Sequence, residues 1–150
     1  MPPDLLKLVV DTNIVFSAIL NIDSRIARIL LYYNNEFEFH SCDFLKLEIM
    51  QHKNRIMKIA GYSADEFYEL EYLVTKNIRF MNHLLIEETI IAKAETRLSN
   101  IDIDDAPFIA MTDYLKAKLW TGDKKLQNAL NKQGYRHIIT TNQLLEKIKR

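Results

Sequence analysis

A chain of 150 residues, 48% apolar and 27% charged, is sized for one domain spanning residues 1–150 around a single sizeable core. Twenty basic and twenty acidic side chains cancel to a formal net charge of zero, so bulk electrostatics do not announce a polyanionic partner. The single cysteine, Cys42, excludes an internal disulfide framework and suits a reducing cytoplasm, and no run nears the roughly 20 apolar residues of a membrane span.

Met1 to Leu6 carries Pro2, Pro3 and Asp4 where a secretory leader would place a basic segment, so a cytoplasmic chain without a leader is expected. Leu6–Val10 reads as a short buried strand, ended by Asp11. Asn13–Leu20 and Ser24–Tyr33 read as helices, the second with Ile26, Ile29, Leu30 and Tyr33 at helical spacing. Phe37–His40 is a second strand. Ser41 or Asp43 can cap a helix that runs to about Ile59 and stops at Gly61. Ser63 with Glu66 three residues on has capping-box spacing and opens the next helix, so that Cys42 to Thr75 reads as a helical hairpin.

Further along, Ile78–Met81 is a short strand or extended link, and Glu87–Leu98 is helical. Asp104 or Asp105 starts another helix, with Pro107 tolerated in its first turn. Leu119–Thr121 reads as a strand, Lys124–Lys132 as a helix, His137–Thr140 as a strand and Gln143–Lys149 as a last helix. Short apolar strands alternating with helices predict a three-layer α/β/α domain with a mostly parallel sheet of about four or five strands. Trp120 and the aromatic group of Tyr32, Tyr33, Phe37, Phe39 and Phe44 read as core, and Cys42 as a small buried residue.

Ligands of open parallel sheets collect beyond the carboxyl ends of the strands. Asp11 ends the first strand, Asp123 lies just past another, Asp105 begins the helix that feeds that strand, with Asp102 and Asp104 close by. Glu48 sits in the helix after the second strand. Each has an ordinary reading: Asp11, Asp104, Asp105 and Asp123 are good helix caps, and Glu48 can face solvent beside His52. Together they place several acids at one sheet edge, where mutual repulsion calls for a cation. Oxygen-only donors select Mg²⁺ or Mn²⁺, which can activate water and stabilise charge on a phosphodiester oxygen. Nine basic side chains follow Tyr114 against Asp123 and Glu146, while Tyr62 to Tyr72 is acidic. Lys124 and Lys125 are candidates to meet RNA phosphates.

The stretches VVDTN (9–13), SCDFLKLEI (41–49), DDAPFIAM (104–111), LWTGDKKL (119–126) and the closing HIITTNQLL resemble, in that order, the PIN domain family. The resemblance covers nearly the whole chain and implies that the family's acidic quartet falls on Asp11, Glu48, Asp105 and Asp123. Asp105 is chosen over Asp104 because it precedes Ala106, which leaves Asp104 a cap or a supporting contact. Thr121 matches a hydroxyl position beside the metal, and Asn13 a polar residue that orients the first acid. The implied activity is that of a Mg²⁺- or Mn²⁺-dependent endoribonuclease acting on single-stranded RNA. The implied partners are an antitoxin protein, for members that are toxins, and a second copy of the chain in a homodimer.

Two other readings stay beside it. A haloacid-dehalogenase-like phosphatase needs a second Asp where this sequence has Asn13. A PIN-like module that binds RNA or protein without cutting would keep the fold and need no metal.

Overall fold

Leu8, Val9 and Val10 are completely buried, as a strand covered on both faces must be. They belong to β1 (Leu6–Val10), the central strand of a five-stranded sheet in a computed structural model that describes residues 4–149. Met1, Pro2 and Pro3, used above to judge the amino terminus, and Arg150, one of the nine basic residues, lie outside the described part. The remaining strands are β2 (Phe37–Cys42), β3 (Ile78–Met81), β4 (Lys118–Trp120) and β5 (Ile138–Ile139). Every ladder is parallel and the strand order is β3-β2-β1-β4-β5.

That order reverses direction between β1 and β4, which makes a topological switch point where the loops after the two strands diverge and leave a crevice. Val10 is in register with Trp120, and the amide of Asp11 donates to the Trp120 carbonyl at 3.0 Å. Asp11 and Thr121 therefore leave the sheet side by side.

Nine helices and two short 3₁₀ turns surround the sheet among the described residues. One layer is built around α1 (Thr12–Leu20), against which α2 (Arg25–Tyr32), α4 (Lys53–Ala60) and α5 (Ala64–Thr75) pack. On the other side α7 (Ala106–Leu115) lies against β1, β2 and β4, with α6 (Glu88–Leu98) on it. The helices α3 (Asp43–Gln51), α8 (Lys124–Lys132) and α9 (Thr141–Ile148) follow β2, β4 and β5. The expected three-layer α/β/α arrangement is the one observed.

The differences are local. The single helix expected up to Ile59 is two, α3 and α4, broken at His52 (φ −99°, ψ 6°). Neither expected cap starts α3: Cys42 occupies that position without a side-chain bond, the Ser41 hydroxyl donates to the Val10 carbonyl at 2.8 Å, and Asp43 accepts from His83. The strand at Phe37 runs on to Cys42, and the one expected over His137–Thr140 is reduced to two residues because Thr140 caps α9. Tyr32 is 71% exposed and not core, whereas Phe37, Phe39 and Trp120 are buried as expected. The 3₁₀ turns at His83–Leu85 and Ile103–Asp105 had no counterpart in the sequence reading. Gly61 ends α4 at φ 73°, and Ser63 with Glu66 forms the expected capping box.

Candidate metal centre

The hydrophobic strand β1 fixes Asp11 at the switch point, where the residue is only 5% exposed. A carboxylate taken from water in this way is costly unless it is well bonded. Both oxygens are used: Oδ1 accepts from the Thr12 amide at 2.8 Å, and Oδ2 accepts from the Thr121 hydroxyl at 2.7 Å and the Asn13 amide at 2.9 Å. Asp11 is thus the N-cap of α1 and stands at the edge of the crevice between β1 and β4.

Thr121 extends the network. It is fully buried, and its hydroxyl also accepts from the Asn13 Nδ2 at 3.2 Å and the Asp123 amide at 3.1 Å. The Asn13 Oδ1 accepts from the Gly122 amide at 2.9 Å, tying the loop after β4 to the start of α1. Gln127, one turn into α8, donates to the Thr121 carbonyl at 2.7 Å. Asp123 caps α8 by accepting from the Leu126 amide at 3.1 Å, so the ordinary reading of this residue holds as well.

Glu48 enters from α3. Its Oε1 accepts from the Thr12 hydroxyl at 3.1 Å, so Thr12 bridges the first acid's loop and the second acid. Thr12 was not singled out from the sequence; a hydroxyl next to Asp11 in the DTN stretch was the available signal. His52 makes no ion pair with Glu48 among the described residues and instead sets its ring edge-on against Phe16, 6.0 Å between centroids.

Asp105 comes from the other layer, as the residue before α7, and its side chain makes no capping bond. Burial pushes its carboxyl up to about 7, with Asp11, Asp102, Glu48 and Asp123 adding repulsion in that order. Burial also raises Asp11, against its hydrogen bonds, and the charge of Asp123 adds to it. Glu48 is raised by burial and, further, by Asp11 and Asp102, although the Thr12 hydroxyl opposes this. The four acids of the sequence reading therefore act on one another across the crevice. Asp102 caps the second 3₁₀ turn by accepting from the Asp104 amide at 3.0 Å, and Asp104 is exposed. Lys124 and Lys125, in the first turn of α8, are exposed beside Asp123.

The donor set fits a hard divalent cation, because it is all oxygen and its net repulsion is what such an ion removes. The carboxylates are nonetheless spread apart: among the described residues no three His, Cys, Asp or Glu side chains are grouped tightly enough to hold a metal. Asp11 itself is turned to its own donors, Thr12, Thr121 and Asn13. Cys42 is buried and its thiol is pushed up to about 12 by burial, which removes it as a nucleophile.

A family model described as PIN domain matches residues 9–143. Among solved structures, VapBC2 from Rickettsia felis bound to a DNA fragment from their promoter is similar with a TM-score of 0.69 and 12% identity, over 90% of this chain and 98% of that one. At that identity the likeness is one of fold. No curated protein matches the chain.

Proposed function

The chain belongs to the PIN domain family, and from that premise we propose that it is a divalent-metal-dependent endoribonuclease that cuts single-stranded RNA. The observation that carries the reading is the network at the switch point between β1 and β4, where Thr121 and Asn13 hold Asp11 and Thr12 holds Glu48. Asp11, Glu48, Asp105 and Asp123 would hold Mg²⁺ or Mn²⁺. When bound, such an ion activates water and offsets charge developing on the phosphodiester oxygens.

The remaining work falls to the chain. Thr121 and Asn13 hold one oxygen of Asp11 and the Thr12 amide holds the other, which fixes the carboxylate at the tip of β1. Thr12 holds Glu48 toward the same space. Lys124 and Lys125 meet RNA phosphates beside Asp123. Hydrolysis adds water across the bond between phosphorus and the 3′ oxygen, which departs with a proton. An antitoxin protein and a second copy of this chain are partners in the same proposal, supported by the resemblance of the sequence and the shared fold with VapBC2.

The test is cleavage of generic single-stranded RNA with Mn²⁺ by the wild type and by Asp11→Asn. Removing a ligand is expected to cost at least the roughly 100-fold of a lost supporting partner. Equal activity, or none in either protein across many RNAs, would count against the reading.

A second reading has its own observation, the absence among the described residues of a tightly grouped metal-holding set. It is a PIN domain that binds RNA or protein without cutting. Calorimetric titration separates the two: a nuclease takes up Mn²⁺ in a manner that Asp11→Asn weakens, and a non-catalytic module gives no heat attributable to these acids.

A further inference from the structure

A cavity of about 520 Å³ opens beside the acids, between α3, the turn at His83–Leu85, α6 and the start of α7. Glu48 and Asp104 form the wall it shares with the candidate metal centre, and Glu95 is a third acid on its lining. Phe44, Leu47 and Ile103 give it an apolar floor. A space of this size, apolar with a few polar groups, suits a flat organic unit such as a nucleobase. Its charge does not suit the phosphate that a nucleotide brings, because three carboxylates repel it.

Among the described residues lining this cavity, only His83 can carry positive charge. It is also the most firmly held. The ring Nδ1 lies 3.0 and 3.1 Å from the two oxygens of Asp43, and the backbone amide of His83 donates to the same carboxylate at 3.0 Å. Phe44 packs on the ring, 4.4 Å between centroids and tilted by 44°. Although burial opposes it, bonds from the His83 amide and ring hold the Asp43 carboxyl below its ordinary range. The Asp43 carboxylate thus faces Nδ1 and leaves Nε2 as the other ring nitrogen, an acceptor in the neutral ring and a donor when the ring carries both protons. Nothing in the proposed metal chemistry uses this pair, and the Asp43 carboxylate, although it lies in the first turn of α3, makes its side-chain bonds to His83.

We propose that this cavity seats one nucleotide of the RNA next to the bond that is cut, with His83, oriented by Asp43 and carrying a proton on both ring nitrogens, donating from Nε2 to that nucleotide's phosphate. The inference rests on the RNA-cutting reading for the identity of the ligand. Asp43 is a positioning residue: it touches His83 and not the RNA.

The test is binding of a fluorescein-labelled single-stranded RNA, followed by anisotropy in EDTA so that nothing is cut. His83→Gln keeps a donor for Asp43 and removes the charge, and His83→Ala removes both. Each is expected to raise Kd about tenfold, the scale of one bond to a charged group, and Asp43→Asn about threefold. A series of RNAs carrying a neutral methylphosphonate at one position adds a readout that a structural role would not move. At one position the wild type weakens and His83→Gln weakens no further. Unchanged Kd in His83→Gln, or the same loss on every neutralised RNA, overturns the proposal. RNA cutting with Mn²⁺ by a wild type whose His83→Gln variant binds equally well would sink the contact and spare the nuclease. His83-dependent binding without any cutting would do the reverse, and no RNA binding at all in EDTA overturns the contact, leaving the nuclease to the Mn²⁺ cleavage assay.

Discussion

The Thr121 hydroxyl uses its whole bonding capacity, donating to Asp11 and accepting from Asn13 and the Asp123 amide at 2.7, 3.2 and 3.1 Å. Thr121→Val preserves the shape and deletes all three bonds. It is expected to weaken Mn²⁺ binding about 10- to 100-fold by calorimetry, and to lower stability by about 1.5–3 kcal/mol in urea unfolding, since the bond lost to Asp11 is charge-assisted. Asp105 supplies a pH prediction. Its folded carboxyl titrates at about 7, against an ordinary value of 3.8. Below about pH 4 both states hold the proton and nothing is contributed; from about pH 4 to 7 the unfolded chain releases it first, so stability falls as pH rises. Asp11 and Glu48, also raised by burial, act in the same direction. Asp43 and Glu38, held low by their histidine partners, act oppositely, below the ordinary carboxylate range. The metal-free Tm should therefore drop between pH 5 and pH 8, and Asp105→Asn should flatten part of that drop. A wild-type Tm that rises over this range would refute the coupling.

At the scale of elements, α7 ends on Lys116 with φ 55° and ψ 45°, a left-handed conformation that strains any residue bearing a Cβ. Lys116→Gly is expected to raise stability by about 0.5–1 kcal/mol, the strain relieved less the entropy that glycine adds to the unfolded chain, and thermal unfolding would read it. Signals of this local kind were what the sequence displayed. Gly61 as a stop and Ser63 with Glu66 as a capping box are written within four residues of where they act. The break at His52 is not, because LKLEIMQHKNR contains no Gly or Pro and its apolar spacing continues across the bend. Ile49 and Ile56, buried on either side of it, keep the i, i+7 spacing that a straight helix would bury as well. The site divides in the same way. Carboxylates at the tips of apolar strands were legible, since the hydrophobic runs before Asp11 and Asp123 declare where the strands end. Thr12 reaching Glu48 spans 36 residues and Thr121 reaching Asp11 spans 110, and such partners exist only once the sheet is paired. The Asp43–His83 pair spans 40, and Asp43 looked like a cap because its competing partner was far away in sequence.

Across the whole molecule the charges sum to zero, so the RNA of the proposed function would gain little from the overall field and would be held by a few cations placed near the acids. The exposed face of α5, with Asp65, Glu66 and Glu69, adds repulsion of its own. Lys124 and Lys125 stand exposed in the first turn of α8, immediately after Asp123, and neither is in an ion pair among the described residues. Each phosphate neutralised on a single strand releases condensed counter-ions, and affinity then falls with salt by a slope of about −0.7 per contact. Replacing both lysines by alanine should weaken RNA binding at low salt and make the slope shallower by about 1.4. Anisotropy across a KCl series measures both quantities. A double variant that binds more weakly with the original slope would mean that the lysines act on the fold of α8, and not on phosphate. A slope that flattens while binding at high salt converges on the wild type would leave RNA held there by the apolar lining of the cavity beside Glu48, the part of the surface whose attraction depends least on screening.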